Sequence, residues 1–254
     1  MAIYLKKFKN HTQYENYING SSAILPNVSI CATEGDVHYN PSSPVPPTPS
    51  HDYVEIGGLK WATMNVGANS ITDTGLYFQW GDISGYTASQ VGSGEGQKKF
   101  GWTDYKYGNG TSYPDNTGMT KYNDTDGKTV LEASDDAAVA NCGGQWRMPT
   151  IAEYVALGNA VNSAWTTDYQ GSGVSGLVLT DKTDSSKVLF FPACGYCFDG
   201  NIGLVGSFGD YWSSSLYSSG AQYADNFGFN HGEVDWSSAH PRYFGYPVRA
   251  VVNE

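Results

Sequence analysis

Four groupings in this chain have residue types or spacings that could do chemistry, and each also has a plainer use. Cys194-Gly-Tyr-Cys197 has the CxxC spacing of zinc and dithiol redox sites. A zinc site would want a second pair or nearby histidines, and a redox pair a βαβ setting, so these thiols are read as buried or incidental. Asn123-Asp124-Thr125-Asp126-Gly127 has the composition of a calcium loop. Setting Gly127 as the sixth loop residue puts Tyr122 first and Ala133 twelfth, where an EF-hand needs oxygen ligands. The segment therefore reads as a turn. Asp135-Asp136, within EASDDAA, is expected on a solvated helix face rather than at a metal. The histidines His11, His38, His51, His231 and His240 show no metal or catalytic spacing, and neither GxSxG nor HExxH occurs. The expectation is a protein that is not an enzyme, with no cofactor and no metal.

A different pattern fills residues 210–252. Its ends, DYWSSS and GYPVRAV, bracket a middle of Ser, Gly, Ala, Asn, Asp, His, Tyr and Phe. Lysine is absent after Lys187 and methionine after Met148. Tyrosine supplies rigid contact area, while Ser, Gly and Asn supply adaptable hydrogen bonds, so the composition is that of a recognition surface.

The whole chain narrows the partners. It has 254 residues, 15% charged, with a formal net charge of −11 and a pI near 4.7. An acidic surface repels phosphate backbones, so nucleic acid is not expected as a partner. No stretch approaches the roughly 18 apolar residues of a membrane span, so no membrane is expected either. MAIYLKKFKNHTQYENY leads into no apolar run of signal-peptide length. The expectation is synthesis in a cytoplasm. Four cysteines give no disulfide framework for a chain this long.

The elements that would position the recognition stretch follow from local patterns. PSSPVPPTPS at residues 41–50 reads as a stiff, extended spacer between an N-terminal module at 1–40 and a main domain at 51–254. In the module, residues 12–18 suggest a short helix, and 27–31 and 37–39 two strands around a Glu34-Gly35-Asp36 turn. Such a piece is too small to bury much, so it is expected to dock or self-associate. In the main domain, YVEIGG-LKWATMNVG reads as a hairpin and residues 73–81 as a strand with alternating aromatics. Residues 84–129 read as long loops and 132–141 as helical. Thr150 with Glu153 makes a capping box before Tyr154, Val155 and Leu157. Residues 176–179 and 188–191 read as strands around a turn at 181–186, and 211–214 and 247–252 as buried closing strands. Trp61, Tyr77, Phe78, Trp80, Trp146 and Trp212 are expected in the core. The class is α+β, loop-rich, with few helices.

YVEIGGLKWATMNVGA, YFQWGD, DDAAVANCGGQWRMPTIAEY, FFPACGY and DYWSSS…YPVRAV occur in that order across 51–254. Together they resemble the Fibrobacter-succinogenes-type major paralogous domain family of Bacteroides-like bacteria and their phages. GGQWRMPT and YWSSS…VRAV are the specific pieces. The resemblance implies the formylglycine-generating-enzyme branch of the C-type lectin fold, with Trp212, Arg249 and Val251 in its fixed core. The N-terminal FKNHTQYENYINGS…LPNVSICATEGDVHYNP is similar to leader modules on phage-type surface proteins. The C-terminal arrangement also resembles the variable proteins of diversity-generating retroelements, phage tropism determinants among them. There a reverse transcriptase rewrites adenines in a C-terminal segment and changes ligand-facing residues over a fixed scaffold. AAC and AAT codons so treated cannot yield Gln, Glu, Lys, Trp or Met. Between Tyr217 and Phe244 only Gln222, Glu233 and Trp236 fall outside the reachable set, which implies that these three are scaffold.

The ligand-facing residues so implied lie in segment 217–244. They are Tyr217, Ser218, Ser219, Tyr223, Asp225, Asn226, Gly228 and Asn230, then His231, Asp235, Ser237, Ser238, Ala239, His240, Tyr243 and Phe244. The implied protein is a receptor-binding adhesin, attached through its N-terminal module to a phage tail fibre or another carrier in a virion. Its partner would be a host cell-surface protein or glycan, and its assembly a homotrimer. An undiversified bacterial adhesin or glycan-binding module is the alternative. Two family mechanisms do not transfer. Cys194 and Cys197 are too close together for the copper-binding pair of the oxidases, and EPN, QPD and WND, which hold calcium in sugar-binding lectins, are absent.

Overall fold

The computed structural model describes strands Lys6–Lys7, Val28–Ile30 and Asp36–Tyr39, and residues 52–110, 118–143 and 145–252. The chain divides into two units, Met1–Ser50 and His51–Glu254, with the division at the end of the proline-rich stretch. In the first unit, β1 (Lys6–Lys7), β2 (Val28–Ile30) and β3 (Asp36–Tyr39) form an antiparallel sheet in the order β1-β3-β2. Ser29 and His38 are register partners in the β2–β3 pair. The helix expected at 12–18 lies outside the described residues, as do Cys31 and His11.

The second unit opens with the expected hairpin, β4 (Tyr53–Ile56) and β5 (Leu59–Asn65). Gly57 and Gly58 both have positive φ, 65° and 76°, as a tight two-residue turn requires. The last strand, β14 (Arg249–Val252), pairs with the other edge of β5, so the beginning and end of this unit close on each other. Helix α1 (Ala137–Cys142) and helix α2 (Ile151–Ala160) come between. α2 starts where the sequence places it. Glu153 N donates to Thr150 Oγ1 at 3.3 Å, and Thr150 N donates to Glu153 Oε2 at 2.7 Å.

A meander follows, β6 (Val161–Thr166), β7 (Gly176–Asp181) and β8 (Val188–Pro192), and then a small hairpin, β9 (Tyr196–Phe198) and β10 (Asn201–Gly203). The recognition stretch itself becomes an antiparallel sheet, β11 (Phe208–Leu216), β12 (Tyr223–Asn230) and β13 (Val234–Pro241). The unit is α+β, built mostly of short antiparallel strands with few helices and long loops.

Two expectations are corrected. Residues 73–81 do not form a strand; they make only the bridges Tyr77↔Tyr86 and Phe78↔Tyr246. The alternation there is real but both sides are buried: Tyr77 enters one hydrophobic cluster and Phe78 the other. Nor does Asp135-Asp136 lie on a solvated face, because both residues are buried. Asp136 breaks the expected helix at 132–141. Its Oδ1 accepts from Ala138 N at 2.8 Å and Val139 N at 3.0 Å as the cap of α1, and a separate 3-10 turn, Ala133–Asp135, precedes it.

The calcium-like segment is a turn, with Asp126 accepting from the backbone of Tyr122, Asn123 and Lys128. Cys142, Cys194 and Cys197 are buried free thiols. Among the described residues no cluster of His, Cys, Asp and Glu could hold a metal ion, and no helix is long and apolar enough to cross a membrane.

The β11–β12–β13 sheet lies between the two clusters. Trp212 and Ala224 belong to the one around Trp80, Tyr122 and Tyr246; Tyr211, Phe227 and Phe229 belong to the one around Trp61, Tyr154 and Phe191. Two fully buried arginines lock this arrangement. Arg249 donates to the carbonyls of Ala62, Thr63 and Phe190 and to Asn65 Oδ1, tying β14 to β5 and β8, with its guanidinium 4.4 Å from the Phe191 ring centroid. Arg242 donates to the carbonyls of Lys121, Tyr122 and Ala221 and to Tyr105 Oη, tying the segment after β13 to the long loops. Arg serves at both places because its rigid fork satisfies several fixed acceptors at once.

Candidate ligand-binding site

Strand β12 has a period-2 pattern, and the pattern decides which side chains reach a ligand. Tyr223, Asp225, Phe227 and Phe229 share one face; Ala224, Asn226, Gly228 and Asn230 share the other. Register extends that second face across the sheet. Asp210 on β11 opposes Gly228, and Phe208 opposes Asn230. From β13, Ser238 opposes Asn226, His240 opposes Ala224 and Asp235 opposes Gly228. The register shifts between Gly228 and Asn226, so Trp236 and Ser237 both fall in a bulge opposite Phe227. The bulge brings Asp235 and Ser238 to the same face despite their odd spacing.

That face floors a groove of about 320 Å³. Gly228, Asn230, Asp235, Ser238 and His240 come from the sheet, and Phe244 closes it from the segment after β13. Tyr196, Phe208 and Tyr246 add aromatic walls, with Leu204 at the side. Phe244 stacks on Tyr196 with ring centroids 5.8 Å apart, and on His240 at 5.9 Å. The wall is thus held by ring contacts, while its outer surfaces line the groove.

Beneath the floor runs a short polar chain. Asn226 Nδ2 donates to Asp210 Oδ1 at 3.0 Å, and His240 Nδ1 lies 3.0 Å from Asn226 Oδ1. With the amide nitrogen committed to the carboxylate, Asn226 Oδ1 is the acceptor and His240 Nδ1 the donor. Burial pushes the Asp210 carboxyl up to about 7; Asn226 opposes that shift and the Asp235 charge adds to it. Burial lowers the His240 pKa, and Asp235 partly offsets it. The arrangement holds a carboxylate and an imidazole in fixed orientation on the groove face.

The sixteen residues implied by the resemblance are not one cluster. Gly228, Asn230, Asp235, Ser238, His240 and Phe244 are brought together at the groove. Tyr217, Ser218 and Ser219 are exposed on the turn after β11, with Tyr223 beside them, its ring 6.2 Å from Tyr217. Asp225 and Ala239 pair across the sheet on the opposite face, Ser237 is exposed in the bulge, and His231 is exposed at the β12–β13 turn with Trp165 6.1 Å away. Tyr243 packs on Trp102 at 4.7 Å.

Asn226 does not reach the surface: it is fully buried, and its amide is spent on Asp210 and His240. Glu233, implied to be scaffold, is exposed and lines the groove. Trp236 does serve as scaffold, stacked on Phe227 at 4.7 Å and seated over Gly158, where a Cβ would come within 2.6 Å of its ring. Asp210, Tyr196, Phe208 and Tyr246 were missed because only strand pairing and the β9–β10 hairpin bring them to this face.

Comparison with protein-family models, curated proteins and solved structures gives no match to this chain.

Proposed function

We propose that this protein is a recognition protein, whose β11–β12–β13 sheet and the segment after it display a ligand-binding surface on a C-type-lectin-like scaffold. The observation that supports it most is the division of labour within residues 217–244. Of the sixteen residues implied to face a ligand, all but Asn226 and Gly228 are exposed or partly exposed. Interleaved with them, Ala221, Ala224, Phe227, Phe229 and Arg242 are buried and carry the packing. Exposed positions such as Ser218, Ser219, His231, Asp235 and Ser237 can therefore change without touching the core, whereas Tyr243 and Phe244 also pack against it.

In this reading the main unit is a retroelement-diversified adhesin, and the N-terminal unit joins it to a phage tail fibre or similar carrier. Three copies on one carrier would raise weak single-site contacts into useful avidity. Sequencing the 3′ end of the gene and its flanking DNA across a natural population tests diversification. Substitutions confined to adenine-rich codons for the surface positions, beside a near-copy template, are the expected result. An invariant 3′ end without a template leaves the alternative, an undiversified adhesin.

A further inference from the structure

The groove's chemistry narrows what it takes. Its lining holds three carboxylates, Asp210, Glu233 and Asp235, and no lysine or arginine. Asp210 is the informative one. It is only 7% exposed, its Oδ1 is held by Asn226, and among the described residues nothing donates to its Oδ2. A carboxylate so buried costs free energy unless something pairs with it. Opposite it stands Gly228, where a Cβ would come within 2.9 Å of Asp210 Oδ1, so the glycine leaves the approach to the carboxylate open.

We propose that the groove takes a cationic side chain of a protein ligand, the guanidinium of an arginine or the ammonium of a lysine. The inference rests on the recognition reading above and names the ligand class for it. Charge-assisted donation to Asp210 Oδ2 would complete the partner set that the fold leaves open. The aromatic rings of Phe244, Tyr246 and Tyr196 line the groove, and a π-system is a surface on which a cation is stabilised. Asp235 and Glu233 at the lip, and the net charge of −11, favour approach of a positive group. The groove mouth also carries exposed apolar residues, Leu204 at 46% and Phe208 at 36%, with Val205 at 60% alongside. Such a rim suits the methylene stem of Lys or Arg and apolar neighbours in a polypeptide, which a neutral sugar lacks.

The titratable groups facing this site are Asp210, Glu233, Asp235, His240, Tyr196 and Tyr246. Lowering the pH from 8 to 5 removes negative charge at Asp210, so cation binding weakens.

The test is a titration of the ¹⁵N-labelled full chain with the capped peptides Ac-Gly-Arg-Gly-NH₂ and Ac-Gly-Lys-Gly-NH₂, and with the citrulline analogue as the neutral control. The expected result is saturable shifts of the Gly228, Asn230 and Asp235 amides with a charged peptide. Citrulline should bind at least about tenfold more weakly. Arginine above lysine would assign bidentate pairing, and the reverse a compact ammonium; either supports the proposal. Asp210→Asn should weaken binding by about tenfold, and the lip variant Asp235→Asn, which leaves the buried chain untouched, by about threefold. Citrulline matching arginine, or no groove shift with any peptide, would overturn the inference. Recognition itself is judged separately by 3′-end variation, so the two readings can fail independently.

Discussion

Two buried aspartates show how differently this fold treats the same side chain. Asp135, 4% exposed, sits in a cage where Lys106 Nζ and Tyr122 Oη donate to it at 3.0 and 2.6 Å and Lys121 Nζ completes the set. Burial alone would raise its pKa, but hydrogen bonds from Lys121, Tyr107, Tyr122 and Lys106 overcome that and hold it well below the carboxylate range. Asp210, 7% exposed, has one neutral amide and an open groove instead, and burial pushes it up to about 7. A carboxylate whose partners are all supplied internally is structural. One left short of partners beside a cavity is where a ligand can contribute.

Breaking the first site should cost most. Asp135→Ala leaves Lys106, Lys121 and Tyr122 without their common acceptor, and the loss should be about 2–3 kcal/mol in urea unfolding at pH 7, discounted because both lysines are partly exposed. An effect under about 0.5 kcal/mol would remove the contrast.

Asp210→Asn should do the opposite. It keeps the carbonyl that accepts from Asn226 while removing the buried charge, so stability should rise by about 1–3 kcal/mol at pH 8, and the gain should vanish near pH 4. A destabilised variant at pH 8 would show that Asp210 is paired after all.

The two sites also differ in the sign of their pH response. Asp135 has a lowered folded pKa, so its contribution is present above the unfolded value and is lost as pH falls below about 4. Asp210 has a raised folded pKa, so the native state binds the extra proton, and stability falls as pH rises from about 4 to about 7. Asp225, pushed up to about 6 by burial, adds a slope of the same sign. Chemical denaturation across pH 3–8, with Asp210→Asn flattening only the upper window, would separate the contributions.

The smallest effect belongs to the displayed positions. Ser218→Ala and Ser219→Ala should change stability by less than about 0.5 kcal/mol, since both are exposed on the turn. A larger loss at either would mean that the turn is scaffold rather than display.

The sequence made some parts of this plain and hid others for physical reasons. The β4–β5 hairpin and the start of α2 are set by local chemistry, a Gly-Gly turn and a Thr150–Glu153 capping box, so they could be read directly. Asp135 and Asp136 could not: two adjacent carboxylates look solvated until Lys106 and Lys121 pair with Asp135 and the backbone amides of Ala138, Val139 and Met148 donate to Asp136. In the site, composition located the recognition stretch but not its geometry. The bulge at Trp236 and Ser237 shifts Asp235 onto the face of Gly228 and Ser238, a change of parity that no alternation rule foresees. Codon grounds imply a scaffold role for Glu233, but they speak to variability and not to position. Asp210 carried no local signal, because its role exists only once β11 pairs with β12.

The most direct test of recognition is binding of the fluorescently labelled full chain to a panel of bacterial strains, compared with the triple variant Asn230→Ala, Asp235→Ala, His240→Ala. The account predicts strain-selective binding that the variant loses by about tenfold or more, with its fold intact by circular dichroism. Binding that survives the triple change, or no selectivity among strains, would contradict it.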